Sequence, residues 1–163
     1  MKKKTTKLST FAAALLGLSL HASHASASDT KWYPGQMCTH NSGLEQRDFG
    51  GVGSNAASGR IIVDCPIVRD QFDTQIDSAR VTVVDRHPYE NVSCFLLNPI
   101  GSANGTFTAN AGPSASSTGT GYQYLPTLVS TPHQEYAASI VGCRIPPRYL
   151  GATTYITQYR VTE

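Results

Sequence analysis

Asn91-Val92-Ser93-Cys94-Phe95-Leu96-Leu97 and Ile140-Val141-Gly142-Cys143-Arg144-Ile145 are the two stretches on which the fold turns. Val92, Cys94 and Leu96 recur at every second position of the first, and Val141, Cys143 and Ile145 at every second position of the second. Side chains alternate across a strand with a period of two, so each cysteine points into an apolar layer with its neighbours. Two such strands, side by side or face to face, can be joined by a disulfide at the centre of a β-structure. Arg60 to Cys65 repeats the pattern, with Ile61, Val63 and Cys65 on one face. Pro66 then ends that ladder because it has no N–H to donate.

The same period extends outward. Ala79 to Asp85 reads as a strand with Val81 and Val83 on one face, Arg86 to Glu90 as a turn through His87-Pro88, and Asn91 to Leu97 as the returning arm of a hairpin. Thr153 to Thr162 places Tyr155, Thr157, Tyr159 and Val161 on one face. The 24 residues from Asn98 to Gly121 carry no charge. They are too many for a structureless loop in a compact domain, so two irregular strands are expected near 105–110 and 118–125. Val68, Phe72 and Ile76 have the spacing of a short helical stripe. The segment from His40 to Gly59, with Gly50-Gly51-Val52-Gly53-Ser54, reads as a flexible connection or a poor edge strand. It lacks the lysine and the following helix of a phosphate-cradling loop. No long helical pattern occurs. About eight short strands separated by Gly, Pro and Asn turns define an all-β protein, an antiparallel β-sandwich of jelly-roll or Greek-key-like type.

Residues 1–27 stand apart. Lys2, Lys3, Lys4 and Lys7 precede an apolar run from Leu8 to Leu20, and Ala25-Ser26-Ala27 supplies small residues at a cleavage site. This is the pattern of a signal peptide cut after Ala27, which leaves residues 28–163 as a single β-sandwich domain, secreted or periplasmic, with no membrane span of its own. Without the four leader lysines, nine basic side chains face eleven acidic ones, a net charge of −2. That balance gives no electrostatic case for nucleic acid. In an exported chain, Cys38, Cys65, Cys94 and Cys143 read as two disulfides. Of three connectivities, the preferred one is Cys38–Cys65 with Cys94–Cys143, each closing a loop worth up to about 3.5–4 kcal/mol. No Cys-x-x-Cys pair supports zinc.

The order Cys38, Cys65-Pro66, Asp85, Val92-Ser93-Cys94, Cys143-Arg144-Ile145-Pro146 and Tyr159-Arg160-Val161-Thr162-Glu163 resembles that of an uncharacterised family of small secreted bacterial four-cysteine β-sandwich proteins. The resemblance covers most of the chain after the leader. It implies the sandwich and its disulfides, and no activity.

Two function classes remain. The first is a non-enzymatic binding or structural module that meets an extracellular glycan, a protein surface or copies of itself through neutral loops and aromatic side chains. Its candidate ligand-binding residues are Tyr122, Tyr124 and Trp32, because tyrosine and tryptophan offer contact area and a polar tip at small entropic cost. For Trp32 the favoured reading is packing, with the Trp32-Tyr33-Pro34-Gly35 arm tucked against one end of the core. The second class is a small extracellular hydrolase using Asp85, His87 and Glu90, since a carboxylate can orient a histidine as a general base. No nucleophile motif accompanies that cluster. His40, His87 and His133 have no metal-ligand spacing, so neither metal nor cofactor is expected. Asn91 and Asn104 head glycosylation sequons.

Overall fold

The computed structural model describes residues 29–40, 45–48, 50–70, 76–101, 107–129 and 139–163. The leader with Ala27, the sequon at Asn104, His133 and the middle of the expected helical stripe (71–75, with Phe72) lie outside them. Twelve strands are present among the described residues: β1 (Thr30–Pro34), β2 (Glu45–Asp48), β3 (Gly51–Ser54), β4 (Ile61–Pro66), β5 (Ser78–Asp85), β6 (Ser93–Gly101), β7 (Phe107–Ala111), β8 (Ala115–Ser116), β9 (Gly121–Tyr124), β10 (Leu128–Val129), β11 (Ile140–Ile145) and β12 (Tyr155–Thr162). One 3₁₀ turn, Gly35–Met37, follows β1.

The strands form two antiparallel sheets packed as a sandwich. The larger has β5 and β12 at its centre. β9 and β10 share the outer side of β5, and β1 and β3 share the outer side of β12, with β2 beyond β3. The smaller runs β4–β11–β6, with β7 and β8 sharing the far side of β6. Between the sheets lie Ile61 and Val63 of β4, Leu96 of β6, Val141 and Ile145 of β11, and Val81, Val83, Ile156, Tyr159 and Val161 of the larger sheet, all buried. Burying one such aliphatic side chain stabilises the fold by about 1.5–3 kcal/mol.

Cys94 and Cys143 sit directly opposite one another on β6 and β11, with Cα atoms 4.1 Å apart, and are joined in a disulfide. The cysteine strands are therefore neighbours in one sheet. Cys38, just past the 3₁₀ turn that follows β1, is bonded to Cys65 of β4, so the second disulfide ties the arm of one sheet to the edge of the other.

Three expectations are corrected. β5 and β6 are not a hairpin: β5 lies in the larger sheet and β6 in the smaller, so residues 86–92 arch between layers. The glycine-rich stretch is neither loose nor a poor edge. β2 and β3 form a hairpin, and every residue of β3 is buried. A Cβ on Gly53 would lie 2.6 Å from the Thr154 carbonyl oxygen, and Gly51, at φ +123°, would collide with the Ile156 carbonyl. Glycine is needed there for close approach to β12. Finally, Tyr155 and Tyr159 do not share a face. The register between β12 and β5 shifts between Ile156 and Gln158, leaving Thr157 as the extra residue of a bulge. The bulge reverses the alternation, so Tyr159 is in the core while Tyr155 lies on the outer face.

Candidate functional site

The outer face of the larger sheet carries most of the exposed aromatic area of the described residues. Trp32 on β1 stands opposite Arg160 on β12, which stands opposite Arg80 on β5. One row along, Gln158 faces Thr82, and Thr82 faces Tyr124 on β9. In the next row Tyr155 faces Val84, and Val84 faces Tyr122. Trp32 is therefore at one side of this face and the two β9 tyrosines are at the other. Three strand spacings separate them, about 14 Å.

Trp32 is 56% exposed, and Tyr122 and Tyr124 are each 58% exposed. Trp32 faces outward because Tyr33, the next residue, turns inward to stack on Tyr159 at 5.0 Å and an interplanar angle of 17°. The packing role expected for Trp32 belongs to Tyr33. The Arg160 guanidinium lies 5.4 Å from the Trp32 ring centroid, a cation–π contact that holds the indole over the sheet. Tyr122 and Tyr124 meet edge to face at 5.5 Å, and the Tyr122 hydroxyl donates to that of Tyr124 at 3.4 Å. That hydrogen bond, with some burial, raises the Tyr122 hydroxyl above its ordinary value.

Two depressions open on this face. A small pit of about 50 Å³ is lined by Trp32, Arg80, Thr82, Tyr124 and Arg160. A cleft of about 290 Å³ is lined by Asp48, Gly50, Val84, Arg86, Tyr155 and Thr157. The bulge aims Thr157 into that cleft while its hydroxyl donates to the Thr82 carbonyl at 3.2 Å. Burial raises the Tyr155 hydroxyl above its ordinary value, and so does its hydrogen bond to the Asp48 carboxylate. The Arg86 guanidinium sits 5.9 Å from the Tyr155 ring centroid. The structure thus brings Trp32, Tyr122 and Tyr124 to one surface and adds Arg80, Arg86, Arg160, Asp48 and Tyr155 to it. The signal for Arg80 was available in the sequence, because it alternates with the inward residues Ala79 and Val81. Tyr155 was hidden by the bulge.

Asp85, His87 and Glu90 do not form a catalytic cluster. Asp85 is fully buried at the start of the arch. Its carboxylate accepts the His87 N–H at 3.0 Å, the Thr154 hydroxyl at 3.2 Å, the Val92 N–H at 3.4 Å and the Ser117 hydroxyl at 2.5 Å. His87 is also buried. Its Nδ1 accepts the backbone N–H groups of Glu90 at 2.8 Å and Tyr89 at 3.3 Å, and its ring meets Tyr149 edge to face at 5.3 Å. Glu90 turns away to pair with Arg60 at 2.7 Å. The Asp85 carboxylate and His87 Nδ1 are already engaged by the chain itself, and Glu90 points away from both. These groups shape the arch, and the hydrolase alternative is set aside. Among the described residues no group of three or more His, Cys, Asp or Glu side chains is placed to hold a metal ion, and no helix is long and apolar enough to cross a membrane.

The fold and this face define a disulfide-stapled β-sandwich module with a solvent-facing aromatic platform. No protein-family model matches the chain, and no curated protein matches it. Among solved structures, the fold is similar to a low-affinity xylan-binding module, CBM86, from the xylanolytic gut symbiont Roseburia intestinalis. The TM-score is 0.50 and the identity 14%, over 82% of this chain and 94% of that one. At that identity the likeness speaks for the fold alone.

Proposed function

We propose that this protein is a non-catalytic carbohydrate-binding module that takes a polysaccharide chain across the outer face of its larger sheet. The observation that carries this reading is the placement of Trp32 at one side of that face and Tyr122 and Tyr124 at the other, all more than half exposed around two depressions. Large rings left in water on an ordered sheet cost solvation that a ligand recovers. The C–H faces of a sugar ring stack on Trp32 and Tyr124, and Arg80, Thr82, Arg160 and Asp48 offer donors and acceptors to its hydroxyls. The xylan-binding function named for the CBM86 module agrees with a carbohydrate ligand. A glycan also suits this face better than a protein surface, because its rings are spread along a groove rather than gathered into one apolar patch. Export after cleavage at Ala27 belongs to the same proposal, supported by two disulfides that require an oxidising compartment.

The test is affinity electrophoresis and titration calorimetry of residues 28–163 against soluble plant and microbial polysaccharides. Trp32→Ala and Tyr124→Ala should each weaken binding about tenfold or more, with melting temperatures nearly unchanged because both side chains are exposed. Full affinity retained in both variants would remove the reading.

A further inference from the structure

Three arginines, Arg80, Arg86 and Arg160, gather on the outer face of the larger sheet. Lys31 is ringed by Asp29, Asp70 and Glu163, at 3.7, 2.9 and 3.4 Å, and Arg60 is paired with Glu90. Arg80, Arg86 and Arg160 have no carboxylate within ion-pairing distance among the described residues. Arg144, over the Phe95 ring, and Arg148, bonded to the Asn55 side chain and the Gly151 carbonyl, also lack one there, so it is the clustering on one face that sets the three apart. Arg80 donates only to the Thr127 hydroxyl, at 2.9 Å. Arg160 and Arg86 lie over the Trp32 and Tyr155 rings. Asp48, the one acid among the described residues lining the clefts, accepts the Tyr155 hydroxyl.

Arg80 and Arg160 are moreover direct cross-strand partners. Like charges in that position destabilise an antiparallel pair, and among the described residues no carboxylate offsets them. The uncompensated pair lines the pit between Trp32 and Tyr124, where a stacked sugar ring would lie. Two guanidinium forks on one face match the oxygens of a carboxylate or sulfate, which accept two parallel hydrogen bonds from each fork.

We propose that the carbohydrate taken by this face is acidic, with an anionic substituent on the sugar seated between Arg80 and Arg160 and a further one within reach of Arg86. This rests on the carbohydrate-binding reading above. A nucleic acid is disfavoured as the polyanion because the described residues bring only three cations to this face and the chain after the leader is net acidic.

The experiment compares polymers that share a backbone and differ in charge: polygalacturonate with its fully methyl-esterified form, carboxymethylcellulose with hydroxyethylcellulose, and dextran sulfate with dextran. The first two pairs report a carboxylate and the third a sulfate ester. At low salt the charged member of at least one pair should bind about tenfold more tightly. The preference should shrink in 0.5 M salt and vanish in the double variant Arg80→Gln/Arg160→Gln, while Trp32→Ala weakens charged and neutral members alike. The single variant Arg80→Lys, which keeps the charge and loses the fork, should retain part of the preference and guards against a folding defect in the double variant. Equal affinity for charged and neutral members, with Trp32→Ala still weakening both, would overturn the acidic ligand and leave the carbohydrate reading standing. No binding to any polymer would remove both. Single-stranded DNA bound as tightly as the preferred polymer would overturn the assignment to a glycan.

Discussion

Asp85 shows how one residue can look catalytic in sequence and be architectural in space. It continues the inward set Ala79, Val81 and Val83 of β5, a carboxylate at a core position, and such a group persists only when its oxygens are fully engaged. Four donors from three segments supply that: His87 and Val92 of the arch, Ser117 after β8, and Thr154 before β12. Asp85→Ala leaves buried donors without an acceptor and should cost about 3 kcal/mol or more in urea unfolding, while Asp85→Asn, which keeps one carbonyl oxygen, should cost less. Under the proposed function, ligand binding by the outer face should be unchanged in the folded fraction. A loss below about 1 kcal/mol for the alanine variant would show that the carboxylate does not knit the arch. The period-two pattern already contained this answer, since Asp85 follows Val83 by two. What the pattern could not decide was the Trp32-Tyr33 pair, where alternation sends one ring in and the other out without saying which. The stack of Tyr33 on Tyr159 settles that, and it depends on a residue 126 positions away.

At the scale of elements, the cysteine faces of β4, β6 and β11 were legible because each is a short, unbroken alternation. The β5–β6 connection was not, because two apolar runs joined by a short polar turn look alike whether they pair or arch. The true partners, β12 for β5 and β11 for β6, come from the far end of the chain. β12 was half legible. Its residues read as a strand, but the bulge at Thr157 shifts the face of everything on one side of it. Deleting Thr157 removes the extra residue and leaves Ile156, Tyr159 and Val161 at every second position on the inward face, so the shortened strand should still unfold cooperatively. Thr157→Ala keeps the bulge backbone and loses only the hydroxyl bond to the Thr82 carbonyl, and it should cost about 1 kcal/mol. Circular dichroism melts follow both variants. Loss of the cooperative transition on deleting Thr157 would mean that Thr157 is not the extra residue that sets the faces of β12.

For the whole molecule the question is what keeps two sheets together under a working face. One end of the sandwich is tied twice. Cys38–Cys65 links the arm to β4, and the hydroxyls of Tyr33 and Tyr159, from β1 and β12, donate to the carbonyls of Val68 and Pro66 at the end of β4 and just beyond it. These tyrosines make the junction sensitive to alkali. Burial pushes the Tyr159 hydroxyl far above the ordinary tyrosine range, and the neighbouring Tyr33 adds to it. Burial also raises Tyr33, against the opposing charge of Lys31 and the bond to Val68. A tyrosine whose value is raised on folding holds its proton more tightly in the native state. Its contribution is therefore complete below the unfolded value, about pH 10, and is lost as the pH climbs above it, by up to about 1.4 kcal/mol per pH unit for each such group. The denaturation midpoint should accordingly be flat from neutral pH to about 9.5 and fall steeply beyond pH 10. Tyr159→Phe should begin about 1 kcal/mol less stable at neutral pH, having lost the bond to Pro66, yet decline more gently in alkali because the group that titrates is gone. If the two proteins lose stability in parallel above pH 10, the junction is not where the sheets are held.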